Sequence, residues 1–305
     1  MIFIKNISTL LLFILAISFN QSCSSTTFGQ HADSLFLVTD NVEILYNLKS
    51  PDQKYFMPYV LEEISGLSFI EPNHILGVDD ESGKVFQYDL FQKKIIHSIT
   101  FHKPGDYEGI EIIDKTIYVL KSDGDLFQFE FGTKKQLVST KYENDLSSNN
   151  DTEGLGYDPH SNQLIIACKE NGEIEGKKID GRAFYMMNID AMELNKRPAF
   201  VIGPNELETF WEKNRDFDYE KNRIKFKPSA IATHPISGHY YILSSVGKML
   251  VIVNKSGEIQ ATYPISPKVL GQPEGICFSS SGDMFISSEG QGDRGYVLKF
   301  KMKQR

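Results

Sequence analysis

Thr-Glu-Gly-Leu at residues 152–155 decides the fold, because close copies of it recur along the chain. The other copies are Ile-Ser-Gly-Leu at 64–67, Tyr-Glu-Gly-Ile at 107–110, Pro-Ser-Ala-Ile at 228–231 and Pro-Glu-Gly-Ile at 273–276. Equivalent residues are separated by 43, 45, 76 and 45 positions. Repeats of about 40–50 residues with strand-like content are typical of β-propellers, in which each repeat forms one four-stranded blade.

Each copy opens a similar series of short strands and turns. In the last repeat the runs Gly-Ile-Cys-Phe, Met-Phe-Ile-Ser-Ser and Tyr-Val-Leu-Lys-Phe are separated by turns at Gly282 and Gly290. Short β-branched and aromatic runs bounded by Gly, Asp and Ser are hairpin signals. The turn glycines repeat with the same rhythm: Gly83, Gly124, Gly172, Gly247 and Gly290. The two series together predict an all-β propeller.

The 76-residue interval is longer than one blade needs, so it could hold an additional blade, the sixth of the propeller. A sixth blade would need an opening phrase that has diverged. Two features argue against a sixth blade. Ala199 to Ile202 has the pattern of a fourth strand of the third blade, and Asn205 could cap a short helix after it. That helix would carry three apolar side chains: Leu207, Phe210 and Trp211. We therefore predict five blades, with a charged, partly helical insertion at 204–227.

The last repeat stops after its third strand, so its blade lacks an outer strand. Residues 35–48 contain Leu-Phe-Leu-Val and Val-Glu-Ile-Leu-Tyr, and we expect them to supply it. Such pairing removes an exposed sheet edge. The predicted propeller domain spans 34–305.

The first 22 residues have the pattern of a signal peptide. Lys5 precedes a ten-residue apolar run, Leu10 to Phe19, which is too short to span a bilayer. Cys23 follows a small residue, as in a bacterial lipobox, although Asn20 stands where that pattern prefers Leu. The chain is thus expected to be a lipoprotein of the bacterial envelope, lipidated on Cys23 and joined to the propeller by a tether at 23–33. The alternative is an ordinary secretory signal cut between Ser24 and Gly29.

Composition excludes some functions. The chain has 41% hydrophobic residues and a net charge of −8, without any Lys/Arg block. Nucleic-acid binding is therefore not expected. Two cysteines remain in the propeller, Cys168 and Cys277, both within apolar strand-like runs. We expect two buried thiols; a disulfide is the alternative.

The recurring polar position is the candidate site. The first strand of each blade lines a propeller's channel, so this position predicts a ring: Ser65, Glu108, Glu153, Ser229 and Glu274. Carboxylates near one axis repel each other unless a cation neutralises them, and their oxygens suit Ca²⁺. Glu108, Glu153 and Glu274 are therefore a candidate calcium site. The alternatives are hydrogen bonds that lock neighbouring blades together, and a catalytic centre.

A second polar set precedes the turn glycines. It comprises five pairs: Asp80 and Glu81, Lys121 and Asp123, Lys169 and Glu170, Ser244 and Ser245, and Ser288 and Glu289. Four of these residues are candidate site residues: Asp80, Lys121, Lys169 and Glu289. The two lysines could offset the acidic ring or bind an anionic ligand. The alternative is that all four are ordinary turn residues on a solvated rim.

Four of the opening phrases carry a family resemblance. Glu63-Ile-Ser-Gly-Leu, Asp106-Tyr-Glu-Gly-Ile, Asp151-Thr-Glu-Gly-Leu and Gln272-Pro-Glu-Gly-Ile are similar to motifs of the SdiA-regulated (YjiK-like) family. The resemblance covers roughly residues 40–300. It implies a five-bladed propeller of bacterial envelope proteins, often behind a lipoprotein signal, and implies no biochemical role.

Two functional hypotheses follow. The first is a binding module, which presents its channel mouth and insertion to a small ligand or to an envelope or extracellular protein. Phe210 and Trp211 would anchor such a partner if exposed, and would fasten the insertion if buried. The alternative is a calcium-dependent hydrolase, by analogy with lactonase- and phytase-type propellers. A purely structural envelope protein is a third reading.

Overall fold

Five antiparallel sheets surround one axis in the computed structural model, which describes residues 45–132, 138–213 and 225–303. The chain begins with strand β1 (Gln53–Phe56) and a single 3₁₀ turn (Tyr59–Leu61). Blade one contains β2 (Ile64–Ile70), β3 (His74–Asp79), β4 (Lys84–Asp89) and β5 (Lys94–Thr100). Blade two contains β6 (Tyr107–Ile113), β7 (Thr116–Lys121), β8 (Leu126–Glu130) and β9 (Thr140–Tyr142).

Blade three has five strands, because two short segments pair with its third strand. It contains β10 (Thr152–Asp158), β11 (Gln163–Cys168), β12 (Arg182–Asn188), β13 (Glu193–Leu194) and β14 (Phe200–Ile202). Helix α1 (Pro204–Lys213) follows. Blade four contains β15 (Pro228–Thr233), β16 (Tyr240–Ser244), β17 (Met249–Val253) and β18 (Ile259–Pro264). Blade five contains β19 (Pro273–Phe278), β20 (Met284–Ser288) and β21 (Tyr296–Phe300), with β1 as its outer strand. The five-bladed prediction is confirmed, and the six-bladed alternative is wrong.

The first strands close the ring by direct contact. β2 contacts β6, and the series continues through β10, β15 and β19 back to β2. Backbones approach closely there. A Cβ on Gly66 would lie 2.7 Å from the amide nitrogen of Ile110, and one on Gly154 would lie 3.2 Å from the amide nitrogen of Ile231. In four of the five phrases glycine follows the polar residue, because the neighbouring first strand leaves little room for a side chain; blade four has the small Ala230 there.

The closing strand is β1 rather than residues 35–48. β1 pairs antiparallel with β21, with Gln53 opposite Lys299 and Phe56 opposite Tyr296. Residues 45–48 form no strand, and residues 35–44 lie outside the described residues. β1 buries Tyr55 in the core cluster shared by blades five and one, and a short turn leads from it directly into β2. This correction moves the strand but keeps the predicted closure of the last blade.

Tyr46 fastens the chain segment before β1. Its hydroxyl donates to the carbonyl of Gly282 at 2.6 Å, and Nε2 of His234 lies 2.8 Å from the same oxygen. Both partners lie in turns between the first and second strands of their blades, at the end of the propeller away from the recurring phrase. Tyr46 and His234 are fully buried.

The insertion is helical where the structure describes it. β14 pairs with β12 as predicted, but Asn205 is not the helix cap. The helix begins at Pro204, and the side chain of Glu206 accepts from the backbone N–H of Gly203 at 2.9 Å. Trp211 is 7% exposed and donates from Nε1 to the hydroxyl of Thr262 at 2.7 Å. It therefore fastens the insertion to blade four; residues 214–224 lie outside the described residues.

Two further expectations concern cysteines and the membrane. Cys168 and Cys277 are both buried free thiols, as predicted. Cys23, the signal segment and the tether lie outside the described residues. Among the residues that the structure covers, no helix is long and apolar enough to cross a membrane.

Candidate binding site at the channel mouth

A β-bulge places the recurring polar residue in every blade. The pairing of the first two strands shifts register between Ile64/Leu67, Tyr107/Gly109, Thr152/Gly154, Pro228/Ala230 and Pro273/Gly275. A bulge leaves one residue without a cross-strand partner and redirects its side chain. Five bulges at equivalent positions thus bring the ring residues to one end of the channel. We call this end the channel mouth. The repeat predicted the position, but not the bulge that aims the side chain.

The three predicted glutamates act on one another electrostatically. Burial raises the pKa of Glu108 to about 10, with contributions from the negative charges of Glu153, Asp106 and Glu274. Burial, followed by the charges of Glu153 and Glu289, raises the pKa of Glu274 to about 8. Carboxylates of blades two, three and five therefore share one poorly solvated region.

Lys169 supplies an internal cation to this region. Its ammonium group forms an ion pair with Oε1 of Glu153 and lies 4.0 Å from Asp151. Burial opposes the charged ammonium, but Glu153 and Asp151 raise the pKa of Lys169 above its ordinary value. Burial raises the pKa of Glu153 to about 7 despite the nearby lysine. Glu153 is only 5% exposed, and its buried Oε2 accepts no hydrogen bond from the part of the chain that the structure describes.

Asp80 and Glu289 extend the acidic region towards blade one. Burial raises the pKa of Asp80 to about 7, with the charges of Glu63 and Glu289 adding to the effect. Oδ1 of Asp80 is a second buried oxygen that has no hydrogen-bond partner among the described residues. Burial and the charge of Glu63 also raise the pKa of Glu289, which accepts a hydrogen bond from the side chain of Gln272. The structure thus joins these two members of the second polar set to the ring.

Other predicted residues serve local structure. The hydroxyl of Ser229 donates to the carbonyl of Pro273 at 2.8 Å and so links blades four and five. Ser65 is buried, and its hydroxyl lies 3.5 Å from the carbonyl of Glu63. Lys121 forms an ion pair with Asp123 in its own turn, which matches the turn alternative.

Glu111 is a channel residue that the sequence interpretation missed. The hydroxyl of Ser68 in blade one donates to its Oε2 at 2.9 Å, and the oxygen of the same hydroxyl accepts from the backbone N–H of Ile112 at 3.2 Å. Burial raises the pKa of Glu111 to about 8, although the hydrogen bond from Ser68 acts in the opposite direction. Glu111 therefore joins blades one and two. In the sequence, the feature that could have indicated this role is a single acidic residue inside the apolar run Gly-Ile-Glu-Ile-Ile.

The next question is whether the acidic side chains of the mouth are arranged as metal ligands. In the part of the chain that the structure describes, no three His, Cys, Asp or Glu side chains are arranged to hold a metal ion. The calcium site of Glu108, Glu153 and Glu274 stays a prediction. Among the described residues, the mouth contains a set of desolvated carboxyl groups, an ammonium group paired with Glu153, and two buried carboxylate oxygens that accept no hydrogen bond.

Residues 52–292, which include all five opening phrases, match the sequence profile of the family described as SdiA-regulated. The chain belongs to the SdiA-regulated family. No curated protein matches it in sequence.

Solved structures resemble this family member in fold. Glutaminyl cyclase of Myxococcus xanthus is 13% identical with a TM-score of 0.55, over 84% of this chain and 97% of that one. The PQQ-bound aldose sugar dehydrogenase of Streptomyces coelicolor is 11% identical with a TM-score of 0.49, over 83% of this chain and 98% of that one. At 13% identity, the similarity to the glutaminyl cyclase supports the propeller fold alone. Nothing is inferred from the weaker similarity to the dehydrogenase.

Proposed function

We propose that this SdiA-regulated propeller is a binding module of the bacterial envelope, anchored through a lipid on Cys23, whose channel mouth takes up a cationic group. One observation carries the binding proposal. Glu153 presents a buried carboxylate oxygen to which no donor within 45–132, 138–213 or 225–303 forms a hydrogen bond. Leaving such an oxygen without a partner is costly, and a bound cation would remove that cost.

The charge balance of the mouth supports the same assignment. Burial and mutual repulsion raise the pKa values of its carboxyl groups: Glu108, Glu153, Glu274, Asp80 and Glu289. Lys169 is the cation paired with Glu153. Burial lowers the pKa of a second lysine, Lys248, which donates to the carbonyl of Gly271. A further cation would stabilise the ionised form of these carboxyl groups.

The cation can be inorganic or organic. Ca²⁺ prefers six to eight oxygens at close range, whereas ammonium and guanidinium groups bind separate carboxylates through directed N–H donors. The carboxylates of this mouth belong to different blades. The experiment below therefore compares divalent metal ions, including Ca²⁺, with a guanidinium compound.

Thermal unfolding of the purified chain tests the proposal. The chain is unfolded in EDTA, then with Ca²⁺, Mg²⁺ or N-acetyl-arginine amide. A cation at 100 times its dissociation constant adds about 2.7 kcal/mol, or roughly 5–10 °C in Tm. Glu153→Gln should remove the shift, and Glu193→Gln, an exposed acid on β13, should keep it. No shift with any of the three cations would contradict the binding proposal.

Metabolic labelling tests the anchor. A labelled fatty acid should be incorporated into the chain, and Cys23→Ser should remove the label and release the protein from membranes. Release of unlabelled protein by the unaltered sequence would indicate an ordinary secretory signal instead.

A further inference from the structure

Three exposed apolar side chains lie together between β1 and β2. Phe56 is 51% exposed, Tyr59 is 71% exposed and Val60 is 45% exposed. Their neighbours Tyr55, Met57 and Leu61 are buried. A local cluster of exposed large apolar residues on an otherwise ordinary surface indicates an interaction site. We call these three residues the mouth patch.

Strand register places the mouth patch at the acidic end of the propeller. Phe56 pairs with Tyr296, Tyr296 with Ser288, and Ser288 with Pro273. Pro273 directly precedes Glu274 of the ring. The exposed ring of Phe56 and the carboxyl group of Glu274 thus belong to the same end of blade five.

The backbone links the patch to the acidic mouth. The turn that carries Tyr59 and Val60 leads into Glu62 and Glu63, and the N–H of Gly290 donates to the carbonyl of Glu62 at 2.9 Å. Glu63 raises the pKa values of both Asp80 and Glu289 by its charge, after the larger effect of burial. Apolar surface and negative charge are therefore adjacent.

Two cations define the other side of the patch. The guanidinium of Arg294 lies 5.6 Å from the ring of Phe56, and its Nε donates to the carbonyl of Met57 at 2.9 Å. The ammonium of Lys54 lies 4.7 Å from the same ring and 3.6 Å from that of Tyr296. These two cations face the ring of Phe56. The exposed apolar residues next to the acidic side of the patch are therefore Tyr59 and Val60.

We propose that the mouth patch and the channel mouth together bind a peptide segment of a partner protein, in which an apolar side chain lies close to a Lys or Arg. The cationic side chain enters the acidic mouth, and the apolar side chain packs on Tyr59 and Val60. This proposal rests on the proposed function, since it names the class of ligand that supplies the cation. It adds a second, apolar contact that an isolated cation cannot use.

Charge selects this occupant over two others. A membrane surface rich in anionic lipids would be repelled by Glu62, Glu63 and Glu289. A second copy of the chain would bring the same acidic groups against each other. A basic peptide complements both the charge and the apolar surface.

Titration calorimetry with three short probes tests the proposal on the full chain. The probes are N-acetyl-Leu-Gly-Arg-amide, N-acetyl-Gly-Gly-Arg-amide and N-acetyl-Leu-Gly-citrulline-amide, which lacks the charge. The Leu-Gly-Arg probe should bind about tenfold more tightly than Gly-Gly-Arg, as expected for burial of one apolar side chain. The citrulline probe should bind at least tenfold more weakly than Leu-Gly-Arg.

Variants separate the two contacts. Tyr59→Ser should lower the affinity for Leu-Gly-Arg about tenfold and leave that for Gly-Gly-Arg unchanged. Phe91→Ser is the matched control, because Phe91 is 87% exposed in the turn after β4, at the opposite end of the propeller. It should change neither affinity, and Tm values should verify that both variants fold.

The outcomes distinguish this inference from the proposed function. Equal affinities for Leu-Gly-Arg and Gly-Gly-Arg would overturn the peptide proposal and leave cation binding intact. Binding of Ca²⁺ without binding of either arginine probe would overturn it in the same way. A dimer, or vesicle binding, that is lost in Tyr59→Ser would show a different occupant and would also overturn it.

Discussion

Lys169 pairs with one carboxylate oxygen of Glu153, and the other oxygen of that carboxylate is buried and accepts no hydrogen bond from the described residues. Glu153 lies in β10 and Lys169 directly follows β11, the neighbouring strand of the same blade, so both are at the channel mouth. The lysine therefore neutralises the mouth only in part. An internal ammonium and an external cation would compete for the same carboxyl group.

Removal of this internal cation should favour external ones. In Lys169→Met the mouth loses its paired ammonium, so we expect the affinity for N-acetyl-arginine amide to rise about tenfold. The variant without ligand should lose about 1–3 kcal/mol of unfolding free energy, because Glu153 loses its partner. Calorimetry and urea unfolding measure the two effects. A lower affinity in Lys169→Met would contradict competition between the lysine and the external cation for Glu153.

The acidic mouth should make stability depend on pH. Burial raises the folded-state pKa of Glu108 to about 10, far above its unfolded value of 4.5. A carboxyl group with a raised pKa favours the folded state at low pH, and this contribution is lost as pH rises through the folded pKa. Glu108→Gln stays neutral, so it should be more stable than the unaltered chain at pH 9 by about 1–3 kcal/mol and nearly equal at pH 5.

Urea unfolding at both pH values measures this difference. Glu193→Gln, on the outer edge of blade three, should show no comparable gain at pH 9. A loss of stability in Glu108→Gln at pH 9 would mean that the ionised carboxylate is stabilised by the mouth.

Glu111 should matter for stability and not for binding. Glu111→Ala leaves the Ser68 hydroxyl without its acceptor and opens a space where the side chain packed. We expect a loss of about 2–4 kcal/mol in unfolding free energy. The affinity for arginine probes should be unchanged. A selective loss of binding with normal stability would place Glu111 in the site instead.

Trp211 should hold the insertion to blade four. Trp211→Phe removes the hydrogen bond to Thr262 and should cost about 1 kcal/mol, whereas Trp211→Ala also opens a cavity and should cost about 3–5 kcal/mol. Urea unfolding measures both losses. Equal, negligible effects would mean that the helix packs independently of its tryptophan.

The repeat explains why so much of the fold could be predicted. The phrase around Glu153 recurs at blade spacing because every first strand has the same close approach at the axis, which requires Gly66 and Gly154. That requirement leaves a signal in sequence. The outer strand of the last blade was predicted to come from the segment before the first phrase, but pattern alone favoured the longer apolar runs at 35–48 over Gln53–Phe56.

The site was predictable in its positions and not in its interactions. The ring of Glu108, Glu153 and Glu274 followed from the repeat, as did its neighbour Lys169. Which residues pair could not be predicted, because the side-chain length and local turn decide it: Lys169 reaches Glu153, while Lys121 stays with Asp123. The exposure of Tyr59 depends on the path of a single turn, which has no repeating counterpart.

The most direct test of cation binding is calorimetry with N-acetyl-arginine amide at pH 8, in two buffers of different ionisation enthalpy. Because mouth carboxyl groups hold protons near neutral pH, the account predicts saturable binding that releases protons and is lost in Glu153→Gln. Affinity should also rise between pH 6 and pH 9. Absence of binding, or binding that Glu153→Gln leaves unchanged, would contradict the account.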